Sequence, residues 1–439
     1  MKLTVIGCGY LGATHAACMA ELGHEVLGME PDMDKVASLN SGKAPFFERD
    51  LDELLTKHTQ SGRLRFTASY AETAAFASLH FLGVGTPQSQ GEDAYDLSQL
   101  FSAARQIAPR IHAPAVIVGK STVPVGTAPR ILEIIREFAP AGDNVEVAWN
   151  PEFLRESFAV EDTLRPDRLV LGFREERSWA EAMVRECYAQ IIEAGTPTIV
   201  TSLATAELVK AAANAFLATK ISFINAMAEV CELADADVHQ LADALGHDAR
   251  IGRRGMRPGI GFGGGCLPKD LRGFMARAKE LSADQTVALL RDVDVINGAR
   301  RERVVDLARE RCDGNPMGKR ITIWGASFKP NTDDVRDSPA LAVAQQLHEL
   351  GAEVTITDPK ALDNARKTHP ELDYADDPIA ATEDADLLLH LTEWPQYSHI
   401  DPHHLTTRVA QTNVIDGRGT LNPDCWRKAG WTYRALGRP

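Results

Sequence analysis

Short apolar runs alternate with helical segments over the first 200 residues. The run KLTVIG ends at a glycine, and the spacing and closing glycine of YLGATHAACMAELG predict a helix directly after it. HEVLGME follows as a second strand, and further runs that predict strands are HFLGVGT, AVIVGKST and VEVAWNPE. Strands that alternate with helices are typical of a parallel, doubly wound sheet. We therefore predict a Rossmann-like α/β domain over residues 1–200.

The pattern changes after Ser202. The Ala-rich stretch LATAELVKAAANAFLATKISFINAMAEVCELADA contains neither Gly nor Pro, which predicts one or two long helices. A second helical stretch runs from Ser282 to Cys312 and ends at the turn-rich segment CDGNPMGK. We predict a central helical region over residues 201–312, with the segment GFGGGCLPKD inside it.

The opening pattern returns after this boundary. KRITIWG is a strand that enters a glycine turn, and GAEVTITDP repeats the G-x-E-V start and the acid-Pro end of GHEVLGMEP. We predict a second Rossmann-like domain over residues 313–439, without the phosphate-binding glycines. The predicted fold class is therefore α/β, with two Rossmann-like doubly wound parallel-sheet domains joined by a long central helix.

Composition narrows the function classes. The net charge of −14 argues against a broad nucleic-acid surface, which needs clustered Lys and Arg. The seven cysteines are scattered and form no CxxC pair, so we expect a reducing compartment, no disulfide framework and no metal site. No apolar run reaches the roughly 18 residues that a transmembrane helix needs, so we expect no membrane span. These features predict a cytoplasmic protein.

The turn GCGYLG carries the first candidate chemistry. Gly7, Gly9 and Gly12 stand between a strand and a helix, where bare backbone can approach the phosphates of a dinucleotide. Glu30 ends the second strand, and an acid there binds the adenosine ribose and repels a 2′-phosphate. NAD is therefore favoured over NADP. A glycine-rich turn without a ligand is the alternative.

Polar residues follow several of the predicted strands. Thr86, Thr122 and Glu152 each come at or just after the end of an apolar run, and ligands of open α/β sheets bind outside the carboxyl ends of strands. We expect these side chains to point into a ligand crevice. Helix capping by the threonines and a surface position for Glu152 are the alternatives.

The long central helix offers a second group. Glu207, Lys210 and Asn214 are spaced i, i+3 and i+7, so they share one face. Lys210 and Asn214 would suit the stabilisation of an oxyanion. A solvated face of ion pairs is the alternative reading of the same spacing.

The segment GFGGGCLPKD is the most specific signal. Its glycines leave no side chains to bury Cys266, and Lys269 nearby would favour the thiolate. A thiolate adds to an aldehyde, and hydride loss from the adduct gives a thioester that water can hydrolyse. Asp270 is placed to position that water. A buried cysteine with a packing role is the alternative.

Together these motifs resemble the UDP-glucose/GDP-mannose dehydrogenase family over nearly the whole chain. The segments that carry the resemblance are IGCGYLG, GVGTP, STVPVGT, NPEFLRES, ELVKAAANAFLATKISFIN, GFGGGCLPKD, GASFKPNTDDVRDSP, LTEW and DGRG. The chain departs from the usual family pattern in small ways. Gly265 stands where Ser is common, Glu30 where Asp is common, and Cys8 where Thr or another small residue is common, and PFFERDL replaces a pattern closer to PIYEPGL.

The resemblance implies an NAD-binding first domain, a helical centre that forms a homodimer, and a last domain that binds a UDP-sugar. It implies two successive oxidations of a sugar C6 alcohol to a uronate, giving two NADH, through a thiohemiacetal and a thioester of Cys266. We expect UDP-glucose as substrate, with GDP-mannose or a UDP-N-acetyl sugar as alternatives. A nucleotide-sugar-binding regulator and a two-electron alcohol dehydrogenase are less consistent with the cysteine loop.

The resemblance also assigns residues. The catalytic set is Cys266 as nucleophile, Lys210 for oxyanions, Asn214 and Thr122 to polarise or order water, and Asp270 and Glu152 as base and water activator. The implied cofactor contacts are Gly7, Gly9, Tyr10, Leu11, Gly12, Glu30, Lys35, Thr86, Thr122, Glu156, Lys269 and Arg336. The implied substrate contacts are Glu152, Phe153, Leu154, Arg155, Lys210, Asn214, Gly263, Lys329 at the diphosphate, Arg418 at the nucleotide, and Arg250 across the dimer.

Overall fold

The computed structural model describes residues 1–175 and 177–438. It separates into two compact units, the first formed by Met1–Ala213 with Arg272–Arg277, and the second by Asn214–Leu271 with the chain from Ala278 onward. Each unit contains one parallel β-sheet flanked by helices, so the predicted fold class is confirmed. The three-part division at residues 200 and 312 stays a prediction.

The first unit is built on an eight-stranded sheet with the strand order β3-β2-β1-β4-β5-β6-β7-β8. Its strands are β1 (Lys2–Ile6), β2 (Glu25–Met29), β3 (Leu64–Thr67), β4 (Leu79–Leu82), β5 (Ala115–Gly119), β6 (Val145–Trp149), β7 (Leu169–Phe173) and β8 (Thr198–Ser202). Its helices are α1 (Tyr10–Glu21), α2 (Met33–Asn40), α3 (Leu51–Gln60), α4 (Tyr70–Phe76), α5 (Ser98–Ile107), α6 (Thr127–Phe138), α7 (Ala159–Leu164), α8 (Trp179–Cys187) and α9 (Ala189–Glu193).

This sheet is parallel except at one pair, β6 with β7, which is antiparallel. Strands β4, β5 and β7 are buried at every position, because helices cover both faces of a doubly wound sheet. Val116 and Val118 therefore pack into one apolar cluster and Ile117 into another. The continuous apolar runs in the sequence follow from this burial on two sides.

Strand β1 pairs with both β2 and β4, so the chain reverses its direction of travel across the sheet at β1. The turns after β1 and β4 consequently diverge at the carboxyl edge of the sheet and open a crevice there. The GCGYLG turn and Thr86 both follow these strands.

Four helices come next in the chain: α10 (Leu203–Leu233), α11 (Val238–Gly246), α12 (Leu267–Glu280) and α13 (Asp284–Arg311). The Ala-rich stretch forms the single helix α10, 31 residues long, because no Gly or Pro interrupts it. It joins the two sheet domains along the chain. In the described part of the chain, neither α10 nor any other helix combines the length and apolar character needed to cross a membrane.

The second unit contains a six-stranded sheet in the order β11-β10-β9-β12-β13-β14, and all of its pairs are parallel. Its strands are β9 (Arg320–Trp324), β10 (Glu353–Thr357), β11 (Asp373–Tyr374), β12 (Leu387–His390), β13 (Asn413–Asp416) and β14 (Thr432–Ala435). Its remaining helices are α14 (Pro339–Glu349), α15 (Leu362–Thr368), α16 (Pro395–Ser398), α17 (Pro402–Leu405) and α18 (Pro423–Lys428). Here β9 pairs with both β10 and β12, which repeats the reversal of the first sheet.

Candidate active site

The GCGYLG turn forms a cradle that only glycine permits. Gly7 has φ +87°, and a Cβ at Gly12 would lie 1.8 Å from the Gly7 carbonyl oxygen. A Cβ at Gly9 would meet nothing within 4 Å, so open space faces the backbone directly before α1. The amino end of α1 therefore presents bare N–H groups to a phosphate, and the residues fit a dinucleotide.

Glu30 and Thr86 frame this cradle. Glu30 is buried, and its Oε2 accepts a hydrogen bond of 3.0 Å from the Cys8 N–H inside the glycine turn. Thr86 donates through Oγ1 to the Thr122 carbonyl oxygen at 2.7 Å. This bond joins the loops after β4 and β5. The helices that follow begin later, at α5 and α6, so neither threonine caps a helix.

Tyr10 takes part in a tether that the sequence analysis missed. Its hydroxyl donates to Glu48, whose Oε2 also accepts from the Ser157 N–H at 2.7 Å and whose Oε1 accepts from the Ala159 N–H at 3.0 Å. Glu48 is buried and lies in the segment PFFERDL. It fixes the loop that follows β6 against the start of α1.

The other predicted cofactor residues of this unit lie near the surface. Leu11 and Glu156 are half-buried, on the first turn of α1 and on the loop after β6 respectively. Lys35 is 44% exposed on α2, and its ammonium lies 3.9 Å from Asp32.

Glu152 is held on both oxygens. Its Oε1 accepts from the Phe153 N–H at 2.7 Å and the Leu154 N–H at 2.9 Å, and its Oε2 lies 3.2 Å from the Lys120 ammonium. The carboxylate is 16% exposed, so it is no free surface acid. Farther along this loop, Arg155 pairs with Asp162 at 2.6 Å.

Glu207 does not belong to a solvated ion-pair face. It is 1% exposed and accepts from the N–H groups of Gly126 at 2.7 Å and Ala128 at 2.6 Å, which caps the amino end of α6. Burial raises the pKa of its carboxyl, while these N–H groups favour the charged form. Lys210, one turn later, is half-buried, with its ammonium 5.7 Å from the centre of the Phe153 ring. The sequence spacing predicts that Glu207 and Lys210 lie on one face of the helix. The structure shows that Glu207 is buried as a helix cap, whereas Lys210 is half-buried beside Phe153.

In the second unit, the glycine loop before α12 is fixed by its neighbours. Asn297 of α13 brackets Phe262, because it accepts from the Phe262 N–H at 2.8 Å and donates to the Phe262 carbonyl at 3.0 Å. Gly261 has φ +97° and Gly264 has φ +86°. A Cβ at Gly263 would lie 2.2 Å from the Asp337 carbonyl oxygen. The loop therefore needs both the positive φ angles and the missing side chains.

Cys266 leaves this loop at the amino end of α12. Cys266 is exposed. Its backbone carbonyl oxygen accepts a hydrogen bond of 2.8 Å from the Asp270 N–H, which closes the first turn of the helix. The positive end of a helix dipole favours a thiolate at this position. The expectation that the glycines leave the cysteine unburied agrees with this exposure.

Three polar side chains form a chain beside this turn. Lys269 lies 2.7 Å from Asp270 Oδ1, and Asn214 donates to Asp270 Oδ2 at 2.6 Å. Asp270 is 1% exposed. Asn214 and Asp270 were predicted to serve one reaction, and the structure brings them into direct contact. The Lys269 ammonium, which was predicted to favour the thiolate, is thus paired with the Asp270 carboxylate.

The predicted nucleotide-sugar residues differ in their surroundings. Arg418 donates to the carbonyl oxygens of Leu391 at 2.7 Å and Phe328 at 2.8 Å, so it links the loops after β9 and β12. Burial lowers the pKa of its guanidinium. Lys329 follows β9, with its ammonium 5.6 Å from the centre of the Phe328 ring. Arg250 is 89% exposed and pairs with Asp248 at 2.6 Å, so the structure does not bring it to the other predicted residues.

Gly263 and Gly265 of this loop should differ in how well they tolerate substitution by alanine. A Cβ at Gly263 meets backbone, whereas a Cβ at Gly265 would lie 2.3 Å from Arg336 Cζ, the end of a flexible side chain. We expect Gly263→Ala to cost about 2–4 kcal/mol of stability and Gly265→Ala less than about 1 kcal/mol. Urea unfolding midpoints of both variants and the parent check this, and equal losses would contradict it.

Within residues 1–175 and 177–438, no group of three or more His, Cys, Asp or Glu side chains is arranged to hold a metal ion.

Family models account for most of the chain. Residues 1–192 match the NAD binding domain of the UDP-glucose/GDP-mannose dehydrogenase family, residues 204–299 match its central domain, and residues 322–423 match its UDP binding domain. The three matches follow one another in the order that the sequence motifs predict.

Individual relatives are also dehydrogenases of nucleotide sugars. The chain is 40% identical to a UDP-glucose 6-dehydrogenase of Rhizobium meliloti, over all of both chains. Among solved structures it resembles a UDP-glucose dehydrogenase from Pyrobaculum islandicum, with a TM-score of 0.92 and 35% identity over 100% of this chain and 98% of that one. It also resembles a UDP-D-ManNAc dehydrogenase from Pyrococcus horikoshii, with a TM-score of 0.88 and 25% identity over 100% of this chain and 99% of that one. The glycine cradle, the cysteine loop and these matches agree that the chain belongs to the UDP-glucose/GDP-mannose dehydrogenase family and is an NAD-dependent oxidoreductase.

Proposed function

We propose that the chain oxidises the C6 alcohol of UDP-glucose to the carboxylate of UDP-glucuronate, with two NADH formed per product. The observation that carries this proposal is an exposed thiol, Cys266, at the amino end of α12. A simple alcohol dehydrogenase has no use for such a nucleophile. A second oxidation at the same carbon does, because an aldehyde must first form an adduct that can lose hydride again.

The cofactor would be held by the GCGYLG turn, with Glu30 at its ribose and the amino end of α1 at its pyrophosphate. When bound, NAD supplies the acceptor for the hydride that leaves the sugar carbon in each oxidation. Thr86 and Thr122 hold the neighbouring loops together, and we assign them to the same part of the site.

The chain's own residues handle the protons and the carbonyl. Asp270 takes or orders the proton of the alcohol or water, and Asn214 fixes the direction of its carboxylate. The Cys266 sulfur bonds to the aldehyde carbon to give a thiohemiacetal, and Lys210 stabilises the oxyanion. After the second oxidation, Glu152 activates the water that hydrolyses the thioester and frees the thiolate.

The second sheet would bind the nucleotide. Lys329 and Arg418 follow β9 and β13 at the carboxyl edge of that sheet, where cations grip a diphosphate well. The match of residues 322–423 to the family's UDP binding domain supports this assignment.

Substrate choice is tested with a panel. NAD is supplied with UDP-glucose, GDP-mannose, UDP-N-acetylglucosamine or UDP-N-acetylmannosamine, and kcat/KM and the product are determined for each. We expect UDP-glucose to exceed the others by at least about 10²-fold, as steric and hydrogen-bond mismatches typically allow. A preference for a UDP-N-acetyl sugar, the substrate class named for the Pyrococcus horikoshii structure, would replace UDP-glucose in this proposal.

A homodimer is the second part of the proposal. Helix α10 exposes Phe216 (68%), Phe223 (50%) and Val230 (54%), which are spaced seven residues apart and so form one apolar stripe. Exposed apolar stripes of this kind mark association surfaces. The outward position of Arg250 fits a residue that serves a partner subunit.

A cytoplasmic location stays a prediction from the cysteine usage.

Charge placed on this stripe should separate the subunits. We expect Phe223→Glu to shift the protein from dimer to monomer in light scattering coupled to size exclusion, because a carboxylate at the interface loses its hydration. Met317→Glu, at a residue 69% exposed on the turn between α13 and β9, is the control and should leave the dimer intact. An unchanged dimer for Phe223→Glu would place the interface elsewhere.

A further inference from the structure

Lys120 is a buried lysine to which the sequence analysis assigned no role. It follows β5 directly and is 4% exposed. A lysine is rarely buried this far unless its ammonium is paired, because removing the charge from water is costly. Its partners therefore indicate why it is there.

The Lys120 ammonium has three N–H donors and three acceptors around it. Nζ lies 2.9 Å from Asn150 Oδ1, 3.2 Å from Glu152 Oε2 and 3.5 Å from the Tyr188 hydroxyl. Asn150 is itself fixed, since it donates to the Val170 carbonyl at 3.0 Å and accepts from the Tyr188 hydroxyl at 2.7 Å. The ammonium is thus held in position by two side chains that follow β6 and by the residue after α8.

Glu152 forms its ion pair with this lysine. Among the described residues, Lys120 is the one cation within ion-pair distance of Glu152. The other carboxylate oxygen is held by two backbone N–H groups, so the side chain has one fixed direction. A carboxylate that is mostly buried needs such a cation to stay charged.

A cavity of about 50 Å³ adjoins the pair, which is room for a few water molecules. The titratable groups that face Lys120 and Glu152 are His15 and Cys18 of α1, Asp162 of α7, Asp167 and Arg168 before β7, Cys187 at the end of α8, and Tyr188. Burial lowers the pKa of His15 well below its usual value, so this ring is neutral. Asp162 is already paired with Arg155. Arg168 is the other cation here, and its guanidinium lies over the Phe153 ring, 3.9 Å from the ring centre, whereas the ion pair of Glu152 among the described residues is with Lys120.

We propose that Lys120 is a positioning residue, whose ammonium offsets the charge of Glu152 and fixes its direction, so that Glu152 can act as the general base in hydrolysis of the thioester. This inference rests on the proposed function and deepens it. In the step, Glu152 takes a proton from water while the water oxygen bonds to the thioester carbon. The carbon–sulfur bond then breaks, the sulfur leaves as a thiolate, and the uronate forms without further oxidation.

Lys120→Met removes the charge and keeps most of the volume. Asn150 Oδ1 retains the donor from Tyr188, so Glu152 Oε2 is the acceptor that loses its charged partner. We expect the first turnover of NADH formation to survive and acid release to slow by about 10²-fold at neutral pH, since a general base contributes that much. We expect the pH profile of acid release to change, while that of NADH formation stays as in the parent. The peptide that contains Cys266 should carry the acyl group after an acid quench.

Lys120→Arg is the conservative comparison, and it should release acid faster than Lys120→Met because it keeps the charge. Lys120→Met with the parent's rate and pH profile would overturn the inference. So would an equal slowing of NADH formation and acid release at every pH without an adduct, since that indicates a purely structural role.

A double-mutant cycle separates this inference from the proposed function, because it needs no substrate. Urea unfolding is compared for the parent, Lys120→Met, Glu152→Gln and the double variant. We expect the double variant to be less destabilised than the sum of the single variants, since a neutral pair leaves no buried charge unpaired. Additive losses would overturn the pairing. Absence of acid formation by the parent with UDP-glucose would instead contradict the proposed function.

Discussion

Replacing Cys266 with serine is expected to lower the rate of uronate formation by more than about 10³-fold while NAD binding persists. A hydroxyl at the end of α12 stays protonated at neutral pH, because a helix dipole favours a thiolate far more readily than an alkoxide. Any ester that did form on serine would also hydrolyse more slowly than a thioester, because an alkoxide is a poorer leaving group than a thiolate. Stopped-flow NADH formation and fluorescence titration with NAD measure the two effects separately.

Cys425→Ser is the matched control for this change. Cys425 is the other exposed cysteine among the described residues, and it lies on α18, outside the cysteine loop. We expect its variant to form uronate at the parent's rate. Normal acid formation by Cys266→Ser would show that the nucleophile has been assigned wrongly.

Lys210→Met is expected to lower kcat by about 10²–10³-fold with little change in the affinity for NAD. The reason is that Lys210 would meet negative charge that develops only as the carbonyl adduct forms, so its loss affects the transition state more than the ground state. Its half-buried ammonium near the Phe153 ring has a restricted range of positions, which suits this role.

Lys57→Met provides the comparison, because Lys57 is 59% exposed on α3 and pairs with Glu21 at 2.7 Å. It should change neither kcat nor KM. A rise in KM at constant kcat for Lys210→Met would indicate uniform substrate binding and contradict the assignment to an oxyanion.

The sequence predicts the structural elements that have a regular pattern along the chain. Buried parallel strands such as β4 and β5 read as continuous apolar runs, and the glycine turn follows its strand at a fixed spacing. The edge strand β8 gave no such signal, because TIVTS is half-exposed and mixes polar with apolar residues. Strand β3 is short, and its alternating pattern resembles a loop.

Contacts between distant segments are what the pattern could not predict. Glu207 caps a helix 81 residues away at Gly126, and Asn297 brackets Phe262 across 35 residues. Glu48 and Lys120 were missed for the same reason, since their partners lie 109 and 30 residues away at Ser157 and Asn150. Spacing places residues on a face of one helix, but it does not say what packs against that face.

The central claim is that one site oxidises the same carbon twice through Cys266. Its most direct test is the molar ratio of NADH to UDP-glucuronate during turnover of UDP-glucose, measured with a carbonyl-trapping amine present. The account predicts two NADH for each uronate and no trapped aldehyde. One NADH for each molecule oxidised, with the aldehyde recovered on the amine, would contradict it.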